Sequence, residues 1–115
     1  MRDPLKDKGR LQHMLDMAIL LEAEKINHSL EIIKSDRVAF FGLSKIVEII
    51  GEAAYKITKE FKELHTDLPW KQIEGMRHIL VHGYFSISPD VLWDVIENDI
   101  PTLIPVIKRY IEESE

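Results

Sequence analysis

Apolar residues recur every three or four positions through most of this chain, which is the period of an α-helix burying one face. Leu11, Met14, Leu15, Ala18 and Leu21 form the first stripe, on a helix predicted to run from just after Pro4 to about Asn27. Met17 and Leu20 widen that stripe and predict burial against more than one neighbour. Residues 29–34, "SLEIIK", fit either an extension of this helix or a separate turn. Ser35 and Asp36 offer side-chain acceptors to cap a second helix, predicted to reach about Leu64. Its stripe is Leu43, Ile46, Val47, Ile50, Ala54, Ile57, Phe61 and Leu64, and Val38, Phe41 and Ile49 add a second apolar face. Gly51 falls in the middle of this helix, where glycine costs roughly 1 kcal/mol relative to alanine. With Ala53 and Ala54 beside it, close approach by another helix is the simplest reason for it.

Residues 65–69, "HTDLP", read as a loop, and Pro69 suits the first turn of a third helix predicted over residues 70–82. Gly83 can end that helix, because glycine accepts the left-handed conformation common just past a helix. Ser88-Pro89-Asp90 then signals a fourth start: a hydroxyl cap, a proline in the first turn, and an acid at the positive helix end. Leu92, Ile96, Leu103, Ile107 and Tyr110 continue its stripe. Pro101 and Pro105 each remove a backbone donor, which predicts a kink or break near Asp99. No segment shows a convincing strand pattern. The pattern predicts an all-α, up-and-down bundle of four main helices, with residues 1–115 as a single domain.

Composition narrows the function. Apolar residues make up 45% and charged residues 30%, which suits a soluble globular protein and not a disordered chain. There is no cysteine, so neither a disulfide framework nor a thiolate zinc site is available, as befits a reducing cytoplasm. The charged start "MRDPLKDKGR" has no apolar core of a signal peptide, and no apolar run approaches the length of a membrane span. A cytoplasmic protein without a membrane partner is expected. The net charge of −5 argues against general electrostatic coating of nucleic acid, so any such chemistry needs a local positive site.

The concentration of chemistry lies in residues 75–89, "GMRHILVHGYFSISP". Arg77, His78, His82 and Tyr84 crowd beside a helix end. On one ideal helix His82 lies about 140° round from Arg77, so these two side chains would not meet. They converge only if the helix ends or bends near Gly83, or if a second subunit contributes. Taken alone, each residue has an ordinary explanation. Arg77 could pair with Glu74 or Glu52, His82 could sit on a helix dipole, and Tyr84 could be a core-edge aromatic. Glu74, His78 and His82 are also spaced as helical metal ligands, although the inner glutamate of a metalloprotease motif is missing. Glu52, a carboxylate beside Gly51 on an otherwise apolar helix, needs a partner, and Arg77 is the natural candidate.

"RHILVHGY" (77–84) resembles the Arg-x4-His-x-Tyr signature of HEPN-domain proteins, and of the HepT-like toxins in particular. "IIGEAAYKI" (49–57) is similar to that family's second long helix, and "LWDVIENDIPTLIPVI" (92–107) to its last. The resemblance spans nearly the whole chain. It implies a helical HEPN fold and a homodimer whose two motifs face each other across a cleft. It further implies metal-independent RNA endonuclease activity, needing no cofactor, as the toxin of a toxin–antitoxin pair. The implied antitoxin is a minimal nucleotidyltransferase (MNT) that transfers AMP to the motif tyrosine, which maps onto Tyr84.

The residue types suit that chemistry. Cutting RNA without a metal requires a group that takes the ribose 2′-hydroxyl proton, a role for His82. A guanidinium, Arg77, can pair two phosphate oxygens and stabilise the developing charge. His78 and Glu52 would support them, His78 by a polar contact and Glu52 by holding Arg77. A non-catalytic helical dimer that only binds the nucleotidyltransferase or a nucleotide is the alternative, as is a His-x3-His metal site. His13, His28 and His65 read as surface or helix-end histidines and Trp70 and Trp93 as packing anchors, while "KDKGR" (6–10) reads as a solvated helix start, with peripheral phosphate contacts as the alternative.

Overall fold

A computed structural model of the chain describes residues 6–78 and 88–114, and every described regular element is helical. α1 (Asp7–Glu24) packs against α3 (Arg37–Lys56) on one side and α7 (Ile100–Glu113) on the other. That placement accounts for the width of its stripe: Leu11, Met14, Leu15, Ala18 and Leu21 are all buried. Leu20 does not join them. It is 39% exposed beside Ile19, on an arc that neither neighbour covers.

α1 tightens into a 3-10 turn over Lys25–Asn27, ending at the predicted residue. The ambiguous segment that follows is a separate short helix, α2 (Leu30–Ser35), because Ser29 is extended and its Oγ accepts from the Ile32 N–H at 3.2 Å. Asp36 caps α3 in the same manner, one Oδ1 accepting from the N–H groups of Val38 and Ala39.

The predicted second helix does not continue to Leu64. It breaks at Ile57-Thr58, and a new helix, α4 (Lys59–Leu64), starts with the Thr58 hydroxyl as its cap. Nothing local demands the break. Its cause lies 51 residues away, where the buried Asp7 carboxylate accepts from the Thr58 N–H at 3.0 Å and from the Thr58 hydroxyl at 2.6 Å. A buried carboxylate needs such donors, and together they outweigh continuing the helix through Thr58. The new direction turns Leu64, assigned to the core by the pattern, out to 80% exposure.

Beyond the loop, α5 (Trp70–Gly75) leads into a 3-10 turn at Met76–His78. Trp70 is the anchor its size suggested: it is buried, and its indole N–H donates to the His65 carbonyl at 2.7 Å. His65 is at a helix end, yet its ring stacks on Phe61 at 3.8 Å and meets Tyr110 edge-on. α6 (Pro89–Asp94) opens as predicted on the Ser88 cap. The disruption expected near Asp99 is a π-helical turn over Val95–Asp99, in which the Ile100 N–H reaches the Val95 carbonyl just before donor-less Pro101. The stripe survives it: Leu92, Ile96, Leu103, Ile107 and Tyr110 are buried, joined by Ile100.

Tyr110 gives the fold a pH signature. Burial and then the nearby Asp67 carboxylate raise its phenol above the usual 10.0. A raised pKa means that folding favours the neutral phenol. Its contribution is therefore complete below the unfolded value and fades as pH climbs through the folded one. Denaturant midpoints of the wild type should fall above pH 10, while Tyr110→Phe should hold its midpoint across the same range.

Candidate active site

The site begins with a missing side chain. A Cβ built on Gly51 of α3 would stand 2.4 Å from the Arg77 backbone nitrogen, 2.8 Å from the Met76 carbonyl carbon and 2.9 Å from the Ile73 oxygen. All three atoms are backbone, so the turn carrying Arg77 rests directly on the α3 main chain. Close approach was the reason predicted for this glycine, and the approaching segment is the one that carries the candidate chemistry.

One helical turn further along α3 is Tyr55, on the face that neighbours Gly51. The Arg77 guanidinium carbon lies 3.9 Å from the centroid of the Tyr55 ring, and Arg77 Nη1 donates to the Glu74 carbonyl at 3.0 Å. Ring and carbonyl together fix the half-buried guanidinium without neutralising it. The expected Glu52–Arg77 pair does not form. Glu52 is exposed and its carboxylate faces Lys56 of its own helix at 3.9 Å, so it never needed a distant cation. The Glu74 carboxylate is taken by Lys62 at 2.7 Å. Among the described residues, then, no acid is paired with Arg77.

His78 follows on the same 3-10 turn and is exposed. Glu52 and Arg77 line one open cavity of about 600 Å³. His82, Gly83 and Tyr84 lie outside the described residues, as do residues 79–82 of the predicted third helix. The α-helical pattern gives way to a 3-10 turn at Met76–His78. Of the metal-ligand triplet Glu74, His78 and His82, the first is committed to Lys62.

Sequence reasoning passed over Tyr55. The available signal was its spacing, four residues after a helix glycine that faces another element. Which cation it would meet could not be read from that.

With this geometry in view, comparison with known proteins gives one consistent picture. A family described as "Ribonuclease HepT-like" matches residues 14–110. A protein of Caldanaerobacter subterraneus subsp. tengcongensis, whose name proposes an RNase, is 34% identical over 91% of this chain and 94% of its own length. A protein of Thermococcus cleftensis named as a probable ribonuclease HepT is 41% identical over 59% of this chain and 62% of its own. A Methanocaldococcus jannaschii protein, again named with a proposed RNase function, is 35% identical over 60% of this chain and 63% of its own. No solved structure matches the chain significantly. The match spanning residues 14–110, with which the all-α bundle agrees, shows that this chain belongs to the HepT-like ribonuclease family.

Proposed function

We propose that the protein is a metal-independent RNA endonuclease in which Arg77 binds the scissile phosphate and His82 moves the protons. The observation that carries this reading is the state of Arg77: stacked on Tyr55 at 3.9 Å and unpaired with any described carboxylate, it is positioned but not neutralised. A guanidinium held in that way can take two phosphoryl oxygens with little reorganisation, and gains most as the phosphorus centre becomes more negative. His82 then accepts the ribose 2′-hydroxyl proton, the 2′-oxygen attacks phosphorus, and the 5′-oxygen departs with a proton from a second imidazole. A homodimer with facing motifs supplies both imidazoles, and the product is a 2′,3′-cyclic phosphate. His78 contributes a supporting polar contact. Glu52, bonded to Lys56 in the same cavity, tempers the local charge and does not anchor Arg77.

In this reading the protein acts in the cytoplasm as the toxin of a toxin–antitoxin pair. Its antitoxin is an MNT-type nucleotidyltransferase that places AMP on Tyr84. The added phosphate would neutralise the charge around Arg77 and fill the cleft, which makes adenylylation an effective off-switch. The test is cleavage of a labelled RNA by purified protein in the presence of a chelator. Wild type should release cyclic-phosphate ends with chelator present, and His82→Ala should be reduced by a factor of about a thousand, within the range of general acid–base catalysis. Equal degradation by both proteins, or complete inhibition by the chelator, overturns the assignment.

A further inference from the structure

The cavity that Arg77 shares with Glu52 is also lined by residues of α1 and α3. Arg10 and His13 of α1 line it, together with Lys45, Glu48 and Lys56 of α3. Arg10, Lys45, Lys56 and Arg77 bring +4 and Glu48 and Glu52 bring −2, a local +2 on a chain whose total is −5. The two acids are largely matched within α3: Lys45 Nζ lies 2.6 Å from Glu48, and Lys56 Nζ 3.9 Å from Glu52. Among the described lining cations, Arg77 alone has no carboxylate within salt-bridge distance. Arg10 lies 3.6 Å from the Asp7 carboxylate, which also accepts both Thr58 donors. The first-helix segment, for which peripheral phosphate contacts were the alternative to plain solvation, thus contributes Arg10 to a positive recess that Arg77 also lines.

We infer that this recess is a phosphate subsite for the RNA strand, holding the phosphodiester next to the one that Arg77 engages. The inference rests on the ribonuclease reading and extends it: Arg10 and Lys56 grip the neighbouring phosphate, and His13 adds a further donor at the edge. Single-stranded RNA suits the arrangement, because its phosphates recur along a flexible backbone and a recess at one end of the cleavage site meets the next in line. The rest of the chain carries a net negative charge, which disfavours the strand elsewhere.

The test uses full-length protein and 2′-O-methyl oligoribonucleotides, which bind but cannot be cut, with affinity read by fluorescence anisotropy. For wild type, affinity should rise as the strand lengthens from two nucleotides to six. Arg10→Gln/Lys56→Gln should lose most of that rise, weakening the longest strand about tenfold, and should flatten the dependence of log Kd on log salt by about 1.4. Lys34→Gln/Lys108→Gln makes the same change in net charge away from the cavity and should do neither. Circular dichroism and single Lys56→Gln protein guard against a folding defect from the loss of Arg10. The subsite is overturned if both double variants weaken binding equally, or if the cavity variant binds every length as wild type does. Should wild type cut no RNA in the chelator assay, the ribonuclease reading fails, while the anisotropy series still decides the subsite.

Discussion

Arg77→Ala protein should lose RNA cleavage by about a thousandfold, the scale on which a preorganised charge-stabilising group acts. The helix content and thermal midpoint should stay near wild type, because the guanidinium makes one hydrogen bond and one ring contact and no described ion pair. Arg77→Lys should recover little of the activity. An ammonium keeps the charge but loses both the planar stack on Tyr55 and the bidentate reach to phosphate. Tyr55 supplies the complementary experiment as a positioning residue. Tyr55→Phe preserves the ring and should preserve turnover, whereas Tyr55→Ala frees the guanidinium and should reduce it about tenfold. Steady-state cleavage of a labelled RNA checks all four variants. If Tyr55→Phe fell as far as Tyr55→Ala, the stacking explanation would be lost.

Gly51→Ala should cost stability and activity together. The new methyl would stand within 3 Å of three backbone atoms of the α5 end and the Met76–His78 turn, and backbone cannot rotate aside as a side chain does. Overpacking of that kind costs about 3 kcal/mol, offset by roughly 1 kcal/mol of improved helix propensity, for a net loss of about 2 kcal/mol. Relief comes by pushing the turn outward and carrying Arg77 with it. A displacement of about 1 Å at such a group lowers turnover on the order of a hundredfold. Gly42 on the same helix is the control. A Cβ there meets nothing within 4 Å, so Gly42→Ala should stabilise by up to roughly 1 kcal/mol and leave cleavage alone. Urea midpoints and RNA cleavage rates for the two alanine variants decide the matter. Equal behaviour of the two would show that the turn does not rest on α3.

These outcomes separate what could be read along the chain from what could not. Local chemistry was legible: Asp36 and Ser88 cap the helices that follow them. Gly51 was legible as a close contact, and Pro101 as the site of a disruption. The break at Thr58 was not, because Ile57 and Phe61 continue the apolar period straight across it and the stabilising acid sits in another helix. The same limitation explains the Glu52 error. Its burial was inferred from apolar neighbours in sequence, but the position falls on the outer arc of α3, where Lys56 one turn away suffices. Tyr55 and Arg77 are 22 residues apart, and only the packing at Gly51 makes them neighbours.

The clasp between Asp7 and Thr58 bears on how the molecule receives its substrate. Arg10 stands less than one helical turn beyond Asp7, and Lys56 stands two residues before Thr58. The start of α1 and the end of α3 are thereby held together through the paired donors of one interior threonine. Parting the two helices there would strand a carboxylate in the interior, so the spacing of the proposed phosphate subsite is set when the chain folds.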